Sequence, residues 1–394
     1  MKLEAVDKKK QQPVHLVIDL GTASVGGSLF IENPSAKKPE IIKSVRLSIG
    51  REQAVNLRDF LNQTKKTIGE VVERLIGKDY LSVQSINCIL AAPYYLAKTE
   101  FIHYQDKNKH LKFTPNLLNR LVEQKAATLI KDHPKLYQEI ISDQSCLLEK
   151  EIMMKKLNGY PVEQAKGQIA HRLNLAVYYS LTSEAVLNQL EDILHLYTDR
   201  HVSVCFHSLV KVLAEVAPTL IPNRRNYIIL DASGELTDIA VVRNKVLSGH
   251  LSFPVGTKTI LRLASETAGS SIEEIKSRLV LQSSGDLKQT EVDKLDKILE
   301  TAKIKWLAGL KDSLNLVKET TMLPENILIL TDELSADSLI KWIKDENWKE
   351  YTLSTGSFNV KPLRSSVLKS FCLADNSLSD PFLLMETLFC QSQL

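Results

Sequence analysis

Apolar positions along this chain fall into two rhythms. Short, nearly continuous apolar runs of strand length alternate with longer stretches in which apolar residues return every third or fourth position. Val14-His15-Leu16-Val17-Ile18 and Val25 to Ile31 read as two buried strands around a polar turn, and Glu40 to Ile49 reads as a third. Asp59 to Leu75 carries Phe60, Leu61, Thr64, Ile68, Val71, Val72 and Leu75 on one stripe, a helix that would cover the sheet. Ile86 to Ala92 is a further buried strand. Strand, strand, strand, helix, strand opens a mixed α/β layer.

The pattern then starts again. Tyr227-Ile228-Ile229-Leu230, Ile239 to Val242 and Val246 to Phe253 predict three strands. A charge-rich helical stretch follows from about 259 to 326, and Ile327-Leu328-Ile329-Leu330-Thr331 is the next buried strand. Two similarly built halves are the expectation, with a ligand cleft where they face one another.

Residues 94–183 interrupt the first half. Glu100 to Tyr104 alternates like a strand, Thr114-Pro115 starts a helix with proline at its first position, and Leu117 to about Ile141 is mostly helical despite His133-Pro134. Glu149 to Leu157 and Gln168 to Tyr179 read as strands around the turn Asn158-Gly159-Tyr160-Pro161. Nothing here pairs a nucleophile with a base, so the segment reads as an interaction module. Ser183 to Leu196 is an amphipathic helix with Ser183 as its N-cap. Val202 to Cys205 and a helix from Ser208 to Ala217 finish the first half, with Pro218 and Pro222 bracketing the boundary. The expected division is 13–93, 94–183 inserted, 184–221, 222–258, 259–326 helical, and 327–394.

Composition narrows the class. In 394 residues, 44% hydrophobic and 25% charged, there is enough apolar material for large cores in two domains. The 50 basic residues nearly match 47 acidic ones, so a net charge of +3 argues against nucleic acid as a partner. The five cysteines lie far apart without CxxC spacing, which favours buried reduced thiols over disulfides or zinc. No apolar run has the length of a membrane span. The N-terminal Lys8-Lys9-Lys10 precedes Gln11-Gln12-Pro13 and not a signal-peptide core, while residues 1–12 read as a loose polar leader.

The chemistry concentrates in two turns roughly 210 residues apart. Asp19-Leu20-Gly21-Thr22-Ala23-Ser24 joins the first two strands, and Asp231-Ala232-Ser233-Gly234-Glu235-Leu236-Thr237-Asp238 joins the corresponding pair in the second half. Each would present backbone N–H groups and short hydroxyls beside carboxylates. The N–H groups suit phosphate oxygens, and the carboxylates suit the magnesium and water that accompany a nucleotide.

The ordered pair of turns resembles the two phosphate loops of the actin, Hsp70 and sugar-kinase superfamily. The inserted segment, with its Asn158-Gly159-Tyr160-Pro161-Val162 turn and following Gly167, resembles the extra subdomain of bacterial FtsA and its pilus relative PilM. The resemblance implies an α/β, two-domain actin-like (ribonuclease-H-like) ATPase fold with an FtsA-type inserted subdomain in domain one. It implies ATP and Mg as cofactors. Gly21, Thr22, Gly234 and Thr237 would then face phosphates, and Asp19, Asp231 and Asp238 would hold magnesium and its waters. Gly256, left from a family Gly-Gly pair, would open a phosphate-facing helix. Glu273 and Lys276, one turn apart on a helix that Ser271 caps, would meet the ribose and base.

The family expectation continues with a Gly-Gly pair after Thr331, and this chain has Asp332-Glu333-Leu334-Ser335. Two carboxylates there would crowd an adenine and repel phosphates, so the chain reads as at most a weak ATPase. At the C-terminal end, Asp380 to Cys390 forms an acidic, apolar helix with no Lys or Arg after Lys369. It suits closing the core of domain two better than binding anionic lipid. The implied role is a self-associating scaffold that recruits a membrane complex, either FtsA-like in cell division or PilM-like on the cytoplasmic tail of a pilus protein. A small-molecule kinase is the third reading. It would need an acidic general base aimed at a substrate hydroxyl, and the first half supplies no candidate.

Overall fold

A strand buried on both faces is the centre of the first sheet. β1 (Val14–Leu20), β2 (Ser24–Asn33) and β3 (Lys38–Ser48) form an antiparallel meander, and every residue of β1 is buried. α1 (Leu57–Ile76) lies across one face, through the stripe that includes Ile68, Val71, Val72 and Leu75. β4 (Val83–Leu90) joins β1 in parallel. The computed structural model describes residues 12–33, 35–50, 57–77, 82–105, 111–112, 114–132, 144–163, 167–318, 322–353, 356–375 and 378–394. The expected loose leader up to residue 11, and the continuation of the second helix through His133-Pro134, lie outside them.

An inserted unit follows: β5 (Leu96–Gln105), β6 (Leu111–Lys112), α2 (Pro115–Asp132), β7 (Ser145–Leu157), β8 (Tyr160–Pro161), β9 (Ile169–Ala170) and β10 (Arg172–Ser183). Its antiparallel sheet has the order β5-β10-β7-β8. α2 closes that sheet by packing Val122 and Ala126 on Leu173, Leu175, Val177 and Tyr179. The chain then returns to the first body through α3 (Glu184–His195), β11 (Ser203–Ser208) and α4 (Leu209–Leu220), with β11 parallel to β4. Ser183 caps α3 by accepting the Val186 N–H. α4 runs through Pro218, where the sequence suggested a boundary. A proline in the last turn leaves the Ala214 carbonyl without its helical partner, and the Tyr227 hydroxyl donates to it at 3.3 Å.

The second body is β12 (Tyr227–Ser233), β13 (Leu236–Arg243), β14 (Val246–Phe253), α5 (Thr257–Ala268), α6 (Ile272–Ser284), α7 (Gln289–Lys318), β15 (Asn326–Thr331), α8 (Glu333–Asp345) and β16 (Asn359–Pro362). Its sheet order, β14-β13-β12-β15-β16, repeats the β3-β2-β1-β4-β11 order of the first, a three-strand meander followed by two parallel strands. Alternation along β12 and β15 sends Ile228, Ile327 and Ile329 toward α5 and α7, and Tyr227, Ile229 and Leu328 toward the first body. Each such aliphatic side chain, fully buried, contributes about 1.5–3 kcal/mol.

The C-terminal helix corrects one expectation. After α9 (Ser365–Leu368), α10 (Pro381–Ser392) does not close the second body. It packs on β1, β2, β3 and α4 of the first, burying Phe382, Leu384, Met385, Phe389 and Cys390 in the core there. The reason lies upstream, where Leu373 exchanges backbone hydrogen bonds with Pro39 and Ile41 of β3 and carries the chain across. Thr387 of α10 then meets Ser28 of β2 at 3.0 Å. Among the described residues, no helix is long and apolar enough to cross a membrane.

Candidate functional site

The β1–β2 turn and the β12–β13 turn touch one another. The Thr22 hydroxyl accepts the backbone N–H of Glu235 at 2.9 Å, and Lys258 at the start of α5 donates to the Ala23 carbonyl at 3.3 Å. Gly234 makes this approach possible. Its φ is +55°, and a Cβ there would stand 2.2 Å from Thr22 Oγ1. Beside the contact lies a cleft of about 640 Å³, lined by both turns, the start of α5, Lys276, Asp332 and the start of α10.

The structure distributes the residues singled out in the sequence as follows. Asp19, Gly21, Thr22, Gly234 and Lys276 share the cleft. Asp231 and Asp238 face each other across β12 and β13 and pack against Leu209, Val210 and Leu213 of α4 instead. Thr237 is buried, donating to the Val255 carbonyl and accepting from the Trp306 indole at 3.0 Å. The Gly256 N–H is bonded to the Glu235 carbonyl and the Lys258 N–H to the Gly234 carbonyl, so these donors at the N-terminus of α5 serve the second turn. Glu273 is exposed and does not line the cleft. Asp332 is the N-cap of α8, its side chain accepting the Ser335 N–H at 3.0 Å.

Three charged residues that sequence reasoning missed complete the cleft. Arg46 on β3 donates from Nη2 to Asp19 at 2.6 Å, from Nε to Asp380 at 2.5 Å and from Nη1 to the Ser24 hydroxyl at 3.0 Å. Asp380 also caps α10, accepting the N–H groups of Phe382 and Leu383. Lys258 is the third. The available signal was an arginine between Val45 and Leu47 in a strand; its partners are remote in sequence.

Electrostatics follow from burial. Burial pushes the Asp19 carboxyl above its usual range, against the pull of Arg46. The fully buried Glu386 of α10 is pushed well up by burial and then by Asp19. Asp231 is raised well above the carboxylate range by burial and then by Asp238, and Asp238 is raised by burial although His250 works against it. Each of these acids therefore holds its proton to a higher pH than a free carboxylate does.

These residues do not fit magnesium and a triphosphate in the expected way. Arg46 holds the near oxygen of Asp19, and Asp231 is sealed beneath α4. No cluster of three or more His, Cys, Asp or Glu able to hold a metal occurs among the described residues. Thr22, one of the residues expected to face phosphate, has its hydroxyl taken up by the Glu235 N–H.

No known family profile and no curated protein matches the sequence. Solved structures do. The chain is similar to a component of a PilM-PilN type IV pilus biogenesis complex, at 11% identity and a TM-score of 0.63, over 96% of this chain and 98% of that one. The fold is actin-like, of the PilM type. Lower similarity, at TM-scores of 0.43 and 0.40, extends to two other proteins. One is the ethanolamine utilization protein EutJ of Carboxydothermus hydrogenoformans, at 10% identity over 96% of this chain and 89% of that one. The other is an actin-like ATPase fold protein of Bacteroides thetaiotaomicron, at 11% identity over 98% of both chains.

Proposed function

We propose that this chain is a PilM-like docking scaffold that holds the tail of a membrane protein in a pilus-type assembly, with the actin-like cleft serving as a structural joint. The observation that carries the reading is the direct bond between the two turns, Thr22 to Glu235, where a turnover site would leave its donors facing a ligand. The whole-length similarity to a pilus complex component supports the pilus role over the cell-division role that the FtsA resemblance implied. The inserted unit is the natural docking element, since Phe101 and Tyr160 on its sheet and Ile169 on the neighbouring β6–β9 ladder stand exposed. ATP turnover is not part of this reading. A kinase is disfavoured because the acids lining the cleft are already engaged, Asp19 and Asp380 by Arg46 and Asp332 by the helix it caps.

The test is a fluorescence-anisotropy titration of the full chain with cytoplasmic tail peptides of membrane proteins encoded beside it. Saturable binding that weakens in Tyr160→Ala and Ile169→Ala is expected. Absence of binding to any of these tails, together with ATP hydrolysis well above background, would overturn the scaffold reading.

A further inference from the structure

Arg46 stands where the resemblance places a divalent cation, and the structure has been built around it. β2 pairs with β3 so that Gly26 lies opposite Arg46. A Cβ on Gly26 would be 2.7 Å from the guanidinium nitrogen Nη2, so the absent side chain is the space the guanidinium fills. Its donors then reach Asp19 at 2.6 Å, Asp380 at 2.5 Å and Ser24 at 3.0 Å, and its Cζ lies 5.4 Å from the centre of the Phe382 ring. The Asp19 side chain is left only 4% exposed.

A rigid planar fork of donors satisfies two carboxylates in fixed directions, which a mobile lysine would not. A second cation brought against Asp19 would meet the guanidinium's positive charge in a poorly solvated site, where repulsion is weakly screened. The same arginine reaches the cap of α10, so the charge that neutralises the acid of the first turn also fixes the C-terminal helix in the core of the first body.

We propose that Arg46 is the resident cation of the cleft: it takes the place of a divalent metal at Asp19, makes the site metal-independent, and uses that acid to anchor α10. This does not depend on the pilus-type reading, since a division scaffold or a pseudoenzyme would carry the same arrangement.

Binding of Mn2+ to the full chain, followed by the electron paramagnetic resonance of free Mn2+ with and without ATP, tests it. The wild-type protein is expected to leave as much Mn2+ free as a protein-free blank at the same ATP concentration. Arg46→Ala opens the acidic pocket and is expected to gain a Mn2+ site at least roughly tenfold tighter than any in wild type. That site should vanish in Arg46→Ala/Asp19→Asn and in Arg46→Lys. Wild-type binding of Mn2+ that is lost in Asp19→Asn would overturn the proposal, and so would a folded Arg46→Ala protein that takes up no metal. Should Arg46→Ala fail to fold, the comparison of wild type with Asp19→Asn still decides.

Discussion

Asp231 and Asp238 show what two buried acids do to one another side by side. They are direct cross-strand neighbours, both buried, and Asp231 Oδ1 has no hydrogen-bond partner. Burial first, and the facing Asp238 second, raise the Asp231 carboxyl well above its ordinary value. A raised folded-state pKa means the stability of this group is fully present below the unfolded value of about 4 and is lost as pH rises toward the folded one. Asp231→Asn keeps the shape, removes the titration and is expected to stabilise the protein by about 1 kcal/mol at pH 7, with the gain gone at pH 4. Urea melts at the two pH values measure this; a loss at pH 7 would show that the carboxylate is paired. At this scale the sequence disclosed what is local. A turn of Asp, Gly and hydroxyl residues can be read in a short window, but Arg46 cannot be read as its partner, because Asp380 lies 334 residues away. Thr237 looked like a phosphate donor for the same reason, and β13 alternation turns it instead to Trp306.

Between elements, Glu149 on β7 ties the inserted unit to the helix that leads into the second body. One carboxyl oxygen accepts from the Ser180 hydroxyl at 3.0 Å and the Ser208 N–H at 3.1 Å; the other faces His207 at 3.3 Å and Lys211 at 3.4 Å. Burial alone would raise this carboxyl, but His207, Lys211 and Ser208 outweigh it and hold it below the usual glutamate value. A lowered folded-state pKa contributes stability above the unfolded value of about 4.3, and that contribution is lost as pH falls through the folded one. Glu149→Gln is therefore expected to cost about 2–3 kcal/mol at pH 7, and the gap to wild type should narrow at pH 3.5. Equal losses at both pH values would show that packing, not charge, is at stake. Most strands and helices up to β15 were legible because each carries its own period, and Ser183 and Ser271 cap α3 and α6 as their positions suggest, whereas α8, β16 and α9 went unread. The destination of α10 was not, because a helix apolar on all sides records that it is buried and not where.

At the scale of the whole molecule, the two bodies share a core. Tyr227, Ile229, Leu328 and Leu363 belong to the same apolar cluster as Leu16, Leu213 and Phe389, so the first body cannot unfold without exposing one face of the second sheet. Burial of four such side chains, at about 1.5–3 kcal/mol each, is comparable with the roughly 5–15 kcal/mol by which a domain is stable, so calorimetry of the full chain should give one transition. The turn-to-turn contact is a smaller second link. Gly234→Ala puts a Cβ 2.2 Å from Thr22 Oγ1 at a φ of +55°. The strained backbone costs about 1–2 kcal/mol and the lost hydrogen bond about 1 kcal/mol. Thr22→Val, which replaces the hydroxyl by a methyl group, should cost about 1 kcal/mol. Both variants are expected to lower the single transition without splitting it, because the shared cluster still couples the bodies. Two separate transitions in the wild-type protein would mean that the bodies unfold independently, and the cleft would then be a hinge and not a joint.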